Sequence, residues 1–192
     1  GITLNMGGMH NVENAIAAIT VAQQLGIEEE KIQAAVADFK GVKRRFEYII
    51  KKDKLIFIDD YAHHPEELTA LIRGARTLFG GKRCTVIFQP HLFSRTRDFA
   101  KGFAESLDLA DSVILLPIYP ARELPMFGVT SELIAGQMHK ADIRVLSKED
   151  VIRYVKDNFL SSMHEDFGEV IITAGAGDID TLVHPLKELL NR

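Results

Sequence analysis

The sequence is short of several features that would narrow its function at once. It has one cysteine, Cys84, so no disulfide can form within the chain, which suits a reducing compartment. No apolar run reaches the ~18 residues that a membrane-spanning helix needs, and Gly1 to Gly8 lack the charged and apolar stretches of a secretory signal. Lys and Arg number 23 against 27 Asp and Glu, and no block of like charge marks a nucleic-acid surface. Neither a nucleic acid nor a membrane is therefore expected as a partner, and the cytoplasm is the expected compartment. Repeats, low-complexity stretches and long linkers are absent too. What remains is a chain of 192 residues, 46% hydrophobic and 26% charged, enough to bury one substantial core or one core with a small appended piece. It begins at Gly1 on a segment that reads as the middle of something longer.

The apolar pattern divides the chain near Gly41 to Arg44. Before that point, the Ala-rich stretch Asn11 to Leu25, followed by Gly26, reads as one helix. Ile32, Ala35, Val36 and Phe39 at helical spacing, followed by Gly41, read as a second. From Phe46 the period changes: Phe46 to Lys51 and Leu55 to Ile58 read as a hairpin around Lys51-Lys52-Asp53-Lys54. Strands and helices then alternate. Pro65, Glu66 and Glu67 open a helix with the stripe Leu68, Leu71, Ile72, Ala75 and Leu78. Thr85 to Phe88 is a strand, and Phe99, Phe103 and Leu107 mark a helix. Val113 to Leu116 is a strand without polar alternation, as expected where helices cover both faces. A helix from Ser131 to His139, a strand from Ile143 to Leu146, and a helix capped by Ser147 with Asp150 and carrying Val151, Val155 and Phe159 follow. Val170 to Thr173 closes the sheet, and Ile179 to Leu190 forms a last helix that Pro185 must start or kink. The expectation is an α/β, Rossmann-like fold: a mainly parallel six-stranded sheet with helices on both faces, its first strand antiparallel, preceded by a short helical piece.

In such a sheet ligands bind beyond the carboxyl ends of the strands, where loops converge and helix N-termini point inward. The segments after successive strands are polar: Asp59-Asp60-Tyr61-Ala62-His63-His64-Pro65, then Gln89-Pro90-His91-Leu92-Phe93-Ser94-Arg95-Thr96-Arg97, then Tyr119-Pro120-Ala121-Arg122-Glu123, and Gly175-Ala176-Gly177-Asp178. Four such loops on one rim point to a site. Bland readings stand beside this one. Asp59 and Asp60 suit a cap for the helix at Pro65, and Asn11 suits an N-cap. Arg95 and Arg97 suit a solvated helix start, although cations there oppose the helix dipole and a ligand anion explains at least one of them better. A metal site from His63, His64 and Glu67 is disfavoured because adjacent histidines rarely point the same way. Gly175-Ala176-Gly177 lacks the third glycine of a dinucleotide fingerprint, and Cys84 has no base partner and reads as core. Asn14, one turn into its helix, offers a donor and an acceptor suited to the edge of a purine.

Gly8-Met9-His10-Asn11-x-x-Asn14 with Ala17-Ala18, Gly41-Val42-Lys43-Arg44-Arg45-Phe46-Glu47, Asp59 to Pro65, Phe88-Gln89-Pro90-His91 with Ser94-Arg95-Thr96, Tyr119-Pro120-Ala121 with Glu123 and Pro125, and Gly175-Ala176-Gly177 together resemble the Mur ligase family over nearly the whole chain. The resemblance implies that residues 1–41 are the last helices of a central ATP-binding domain and 42–192 a C-terminal ligase domain. It implies an ATP- and Mg²⁺-dependent ligase of peptidoglycan precursor synthesis that forms an amide through an acyl phosphate. The Phe88-Gln89-Pro90-His91 loop points to members that add L-alanine to UDP-N-acetylmuramate, in preference to those that recycle murein tripeptide. By family position Asn11 and Asn14 would contact adenine, Arg45 the phosphates and Asp60 the ribose. His63 and Arg95 would be the catalytic pair near the amino acid, Arg95 holding its carboxylate, with Tyr61 and His91 as further substrate contacts. Leu92 departs from the arginine found in many members, a contact that Arg97 would have to replace. No G-x-x-x-x-G-K-[ST] phosphate loop occurs in the sequence. The resemblance therefore puts that loop, the Mg²⁺ ligands and the uridine-binding domain upstream, and implies that this chain is inactive alone. Rival readings are a non-catalytic nucleotide- or amino-acid-binding module, and a nicotinamide dehydrogenase domain, which lacks its glycine turn after the first parallel strand.

Overall fold

A computed structural model describes residues 1–4, 9–39, 41–139, 142–163 and 167–191. Gly8 and the side chain of His10 lie outside the described residues.

Helices α1 (Met9–Gln24) and α2 (Glu29–Asp38) come first, separated by Gly26 in the left-handed region at φ 73°. They bury little: Ile32 is buried, whereas Val12, Ile16 and Val21 on α1 and Leu25 just after it are exposed. Phe39 belongs to neither helix. It caps α2 in an extended conformation and is exposed, so the expected stripe ends one turn early. Asn11 lies inside α1, not at its N-cap, so the capping reading of Asn11 is overturned.

Six strands follow: β1 (Glu47–Lys51), β2 (Leu55–Asp60), β3 (Arg83–Phe88), β4 (Ser112–Leu115), β5 (Ile143–Val145) and β6 (Glu169–Ala174). Their spatial order is β1-β2-β6-β3-β4-β5, with β1 antiparallel to β2 and every other pair parallel. The last strand in sequence thus lies in the middle of the sheet. Side chains alternate between two cores. Ile56, Ile58, Val86, Phe88, Val113, Leu115 and Ile172 face one side, where α3 (Pro65–Leu78), α4 (Phe93–Leu107) and the short α5 (Glu132–Ala135) contribute Leu68, Ile72, Phe103, Leu107 and Ile134. Leu55, Phe57, Ile87, Ile114 and Ile171 face the other, covered by α6 (Lys148–Tyr154), the turn of π-helix Val155–Phe159, the 3₁₀ turn Asp178–Leu182 and α8 (Val183–Leu190), with α7 (Leu160–Ser162) extending the π turn. Because both faces are covered, the strands carry apolar residues at consecutive positions.

Several helical boundaries depart from the sequence pattern for local reasons. The helix after β5 widens into a π turn because Val151, Val155 and Phe159 are all buried at a spacing of four, and wider turns keep such a row on one face. Ser147 caps α6 as expected, its Oγ accepting from Asp150 N at 3.1 Å. Pro185 falls in the first turn of α8, where its missing N–H removes no helical bond. Leu78 and Phe99 are exposed; at Phe99 the backbone leaves helical geometry and α4 kinks. Helix α5 stops at Ala135, four residues short of the expected end.

Candidate functional site

The parallel register aligns Asp60 with Ala174, Ala174 with Phe88 and Phe88 with Leu115, so the four polar loops leave the sheet from one level. Strand β1 runs the other way, and its first residue, Glu47, pairs with Asp59. That reversal brings the segment before β1, with Arg44 and Arg45, to the same rim.

The two arginines divide there. Arg44, at φ 58°, donates from Nε to Asp59 Oδ2 at 3.1 Å and from a terminal nitrogen to the Gly175 carbonyl at 2.5 Å, and its guanidinium lies 5.1 Å from the Tyr61 ring centroid. Asp59 is buried and also accepts from Thr173 Oγ1 at 2.6 Å. Burial pushes its carboxyl above the ordinary aspartate value, outweighing the opposite pull of Thr173 and Arg44. Asp60 accepts from Phe46 N and Ala62 N, both at 2.7 Å, one on each carboxyl oxygen. Neither aspartate therefore caps α3. That end is held by Glu67, whose Oε2 accepts from His63 N at 2.9 Å and His64 N at 3.1 Å. Arg45 is exposed and joins none of the ion pairs among the described residues.

Two cavities meet at this linker. One, of about 600 Å³, is lined by Asn11, Asn14, Ala18, Val36, Phe39 and Arg45 among others. The second, of about 480 Å³, is lined by Asn14, Arg45, Asp60, Tyr61, His63 and Glu67 among others. Asn14 and Arg45 are common to both walls, so Asn11, Asn14, Arg45, Asp60, Tyr61 and His63 border one continuous surface, whereas His91 and Arg95 line neither cavity.

His63 and His91 face one another across the rim with ring centroids 6.1 Å apart. His91 is stacked on Tyr119 at 5.7 Å, and its Nδ1 lies 3.4 Å from an Arg95 guanidinium nitrogen. Burial lowers the His91 pKa, and the charges of Arg95 and His63 add to the effect. Arg97 pairs with Asp98 at 2.7 Å and is largely solvated, as at an exposed helix start. The N-terminus of α4 already holds an anion, the carboxylate of Glu123, which accepts from Ser94 N at 2.9 Å and from Ser94 Oγ. These bonds hold Glu123 below the ordinary glutamate value. Leu92, at φ 72°, turns the chain into α4 while donating its N–H to the Tyr119 carbonyl at 2.9 Å.

The glycine loop after β6 has a packing explanation. A Cβ on Gly175, whose φ is 148°, would lie 2.8 Å from the Gln89 carbonyl oxygen, and one on Gly177 would overlap Gln89 Oε1 and come within 2.7 Å of Tyr119 Cβ and Cγ. Gln89 is buried and donates to Asp178 at 2.9 Å, which also binds Lys148 at 2.6 Å. The glycines let three rim loops close on one another. Arg44, Gln89 and Glu123 are the residues whose positions sequence reasoning left without a role; each sits in a motif, but its partner is distant in sequence. No group of three or more His, Cys, Asp or Glu side chains among the described residues is placed to hold a metal ion.

Residues 44–177 match the family model described as Mur ligase, glutamate ligase domain. The chain belongs to the Mur ligase family. Among curated Mur ligases, it is 49% identical over 189 residues to the UDP-N-acetylmuramate–L-alanine ligase of Cytophaga hutchinsonii, covering 98% of this chain and 39% of that protein. It is 45% identical over 190 residues to the enzyme of the same name from Porphyromonas gingivalis strain W83, covering 99% and 40%. Among solved structures, the UDP-N-acetylmuramate-alanine ligase of Thermotoga maritima superposes with a TM-score of 0.76 at 27% identity, covering 99% of this chain and 40% of that one. A murein peptide ligase of Psychrobacter arcticus superposes with a TM-score of 0.62 at 26% identity, covering 100% and 39%. The chain thus spans about two fifths of the length of these Mur ligases. Among its described residues no helix is long and apolar enough to cross a membrane.

Proposed function

We propose that this chain is the C-terminal part of an ATP-dependent ligase that joins L-alanine to UDP-N-acetylmuramate. The observation that carries the reading is the shared wall of the two cavities, Asn14 and Arg45, which links a cleft suited to a purine with one bordered by Asp60, Tyr61 and His63, beside which His91 and Arg95 stand. In the first cavity Asn11 and Asn14 read adenine through their amides, and Arg45 meets the phosphates of ATP. Asp60 borders the second cavity and takes a ribose hydroxyl. Arg95 holds the L-alanine carboxylate, His63 stands by its amino group, and Tyr61 and His91 complete that pocket.

Residues 1–41 belong, on this reading, with a central ATP-binding domain, and 42–192 form the ligase domain. The exposed Val12, Ile16 and Val21 of α1, with Leu25 just after it, support that division, since they offer apolar surface for a neighbour. The central domain would bring the phosphate loop and the Mg²⁺ ligands, and an N-terminal domain the uridine site. Phosphoryl transfer to the lactyl carboxylate rests on those parts, while this chain closes over the amine acceptor.

The test is phosphate release from ATP with UDP-N-acetylmuramate and L-alanine, comparing the ligase that carries all its domains with its Arg95→Ala variant. Turnover by the wild type, with kcat/KM for L-alanine reduced in the variant, supports the reading. Turnover with a tripeptide and none with L-alanine would assign the chain to the recycling ligases, and turnover with neither would reject it. The 192-residue chain alone is expected to be inactive and to take up ATP weakly.

A further inference from the structure

The two histidines at the rim differ in what their ring nitrogens face. His63 Nδ1 lies 2.9 Å from the Tyr61 carbonyl oxygen and 3.4 Å from Glu67 Oε2. Both are acceptors and neither can donate, so a neutral His63 carries its proton on Nδ1 and leaves the lone pair on Nε2. His91 Nδ1 faces a guanidinium nitrogen of Arg95, which donates and never accepts. A neutral His91 therefore accepts at Nδ1 and carries its proton on Nε2. Burial, Arg95 and His63 lower the His91 pKa, against an opposing pull from Glu123.

We propose that His63 and His91 are a pair in opposite tautomers: His63 takes a proton from the incoming amino group through Nε2, and His91 gives a hydrogen bond from Nε2 to the oxyanion that forms. The proposal rests on the ligase reading above. The α-ammonium of the amino acid loses one proton to His63 Nε2, and the freed lone pair forms the N–C bond at the carbonyl carbon of the acyl phosphate. The displaced π electrons move onto the carbonyl oxygen, which meets the His91 N–H. Collapse breaks the C–O bond to phosphorus, phosphate leaves with that electron pair, and the second amine proton follows it to the phosphate or to water. Glu67 is a positioning residue: it accepts from the backbone N–H of both His63 and His64 and, facing Nδ1, holds the proton away from Nε2.

The tautomers can be read without activity. Long-range ¹H–¹⁵N correlation spectra of the chain with ¹⁵N-labelled histidine, recorded where imidazole is neutral, are expected to show His63 as Nδ1–H and His91 as Nε2–H. Signals are assigned by loss in His63→Asn and His91→Asn. A His63 spectrum in the Nε2–H form, the form free histidine prefers, overturns the proposal. The catalytic half is tested in the ligase with all its domains. His63→Asn keeps a donor at the Nδ1 position and His63→Gln an amide at Nε2, yet neither is a base, so each should lower kcat by about 10² to 10⁴. His91→Gln, which keeps an N–H where Nε2 stood, should retain clearly more activity than His91→Asn. Full activity in His63→Asn would reduce His63 to a structural role. Wild-type inactivity with L-alanine beside the expected tautomers would overturn the substrate reading, and with it the catalytic half, while the tautomers would stand.

Discussion

Replacing Gly177 by alanine tests whether the rim is held together by close packing of its loops. The backbone imposes no obstacle, because Gly177 has φ −81°, open to any residue. Alanine would even gain about 0.4–1 kcal/mol by narrowing the unfolded ensemble. The obstacle is space: the new methyl would overlap Gln89 Oε1 and lie within 2.7 Å of Tyr119 Cβ and Cγ. Tyr119 cannot simply yield, since its N–H is bonded to the Pro90 carbonyl at 2.8 Å and its carbonyl to Leu92 N at 2.9 Å. Overpacking of this kind costs about 1–3 kcal/mol. Set against the entropic gain, the net loss is about 1–2 kcal/mol, which lowers Tm by roughly 2–8 °C in a chain of this size. Because Tyr119 stacks on His91, the displaced loop should also loosen the histidine pair. Differential scanning calorimetry of Gly177→Ala beside Gly81→Ala is the assay. Gly81 has φ 88° and no atom within 4 Å of its would-be Cβ, so its variant isolates the backbone penalty of about 1–2 kcal/mol. An unchanged or raised Tm in Gly177→Ala would refute the packing argument.

Three further outcomes follow from the site. Arg44→Ala leaves Asp59 buried without its cation and should cost about 3–5 kcal/mol in urea denaturation; Asp59→Asn in the same chain should recover part of it, and additive losses would show the pair is not coupled. His91 has a folded pKa below its ordinary 6.5, so its contribution is present above that value and lost as pH falls through the folded pKa. Stability measured on acidification below 6.5 should therefore decline less steeply in His91→Asn than in the wild type. Cys84 is buried with its thiol pushed up to about 12, so it should resist a thiol-specific reagent in the folded chain and react only as fast as the chain opens; rapid labelling without unfolding would contradict its burial.

The alternation of elements was legible because both cores impose it: Leu68, Leu71, Ile72 and Ala75 keep helical spacing, and the strands between them are short apolar runs. Strand order was not legible, since nothing local to Val170–Thr173 says that it pairs with both β2 and β3. The rim was legible from the polar loops, which supplied Asp60, Tyr61 and His63 of the second cavity, whereas Asn11, Asn14 and Arg45 lie outside those loops and most of the other lining is apolar. What could not be read was which of two neighbours faces inward. Arg44 and Arg45 look alike in sequence, yet Arg44 turns to Asp59 and Gly175 while Arg45 borders the cavities. Arg95 and Arg97 divide in the same way. Phe99 was rightly placed in a helix, but the kink at it was not legible, since the spacing to Phe103 is unchanged.

The central place of β6 bears on how the nascent chain folds. While Glu169–Ala174 is still unmade, β2 has a strand partner only through β1 and β3 only through β4. The two pairs are linked by α3 against α4, where Ser106 Oγ donates to the Pro65 carbonyl and accepts from Thr69 Oγ1, with no strand between them. Each pair then presents a bare strand edge, and β2 waits for a partner more than a hundred residues further along the chain. The glycine loop that packs on Gln89 and Tyr119 arrives only with β6, so the same strand that fills the middle of the sheet also completes the rim.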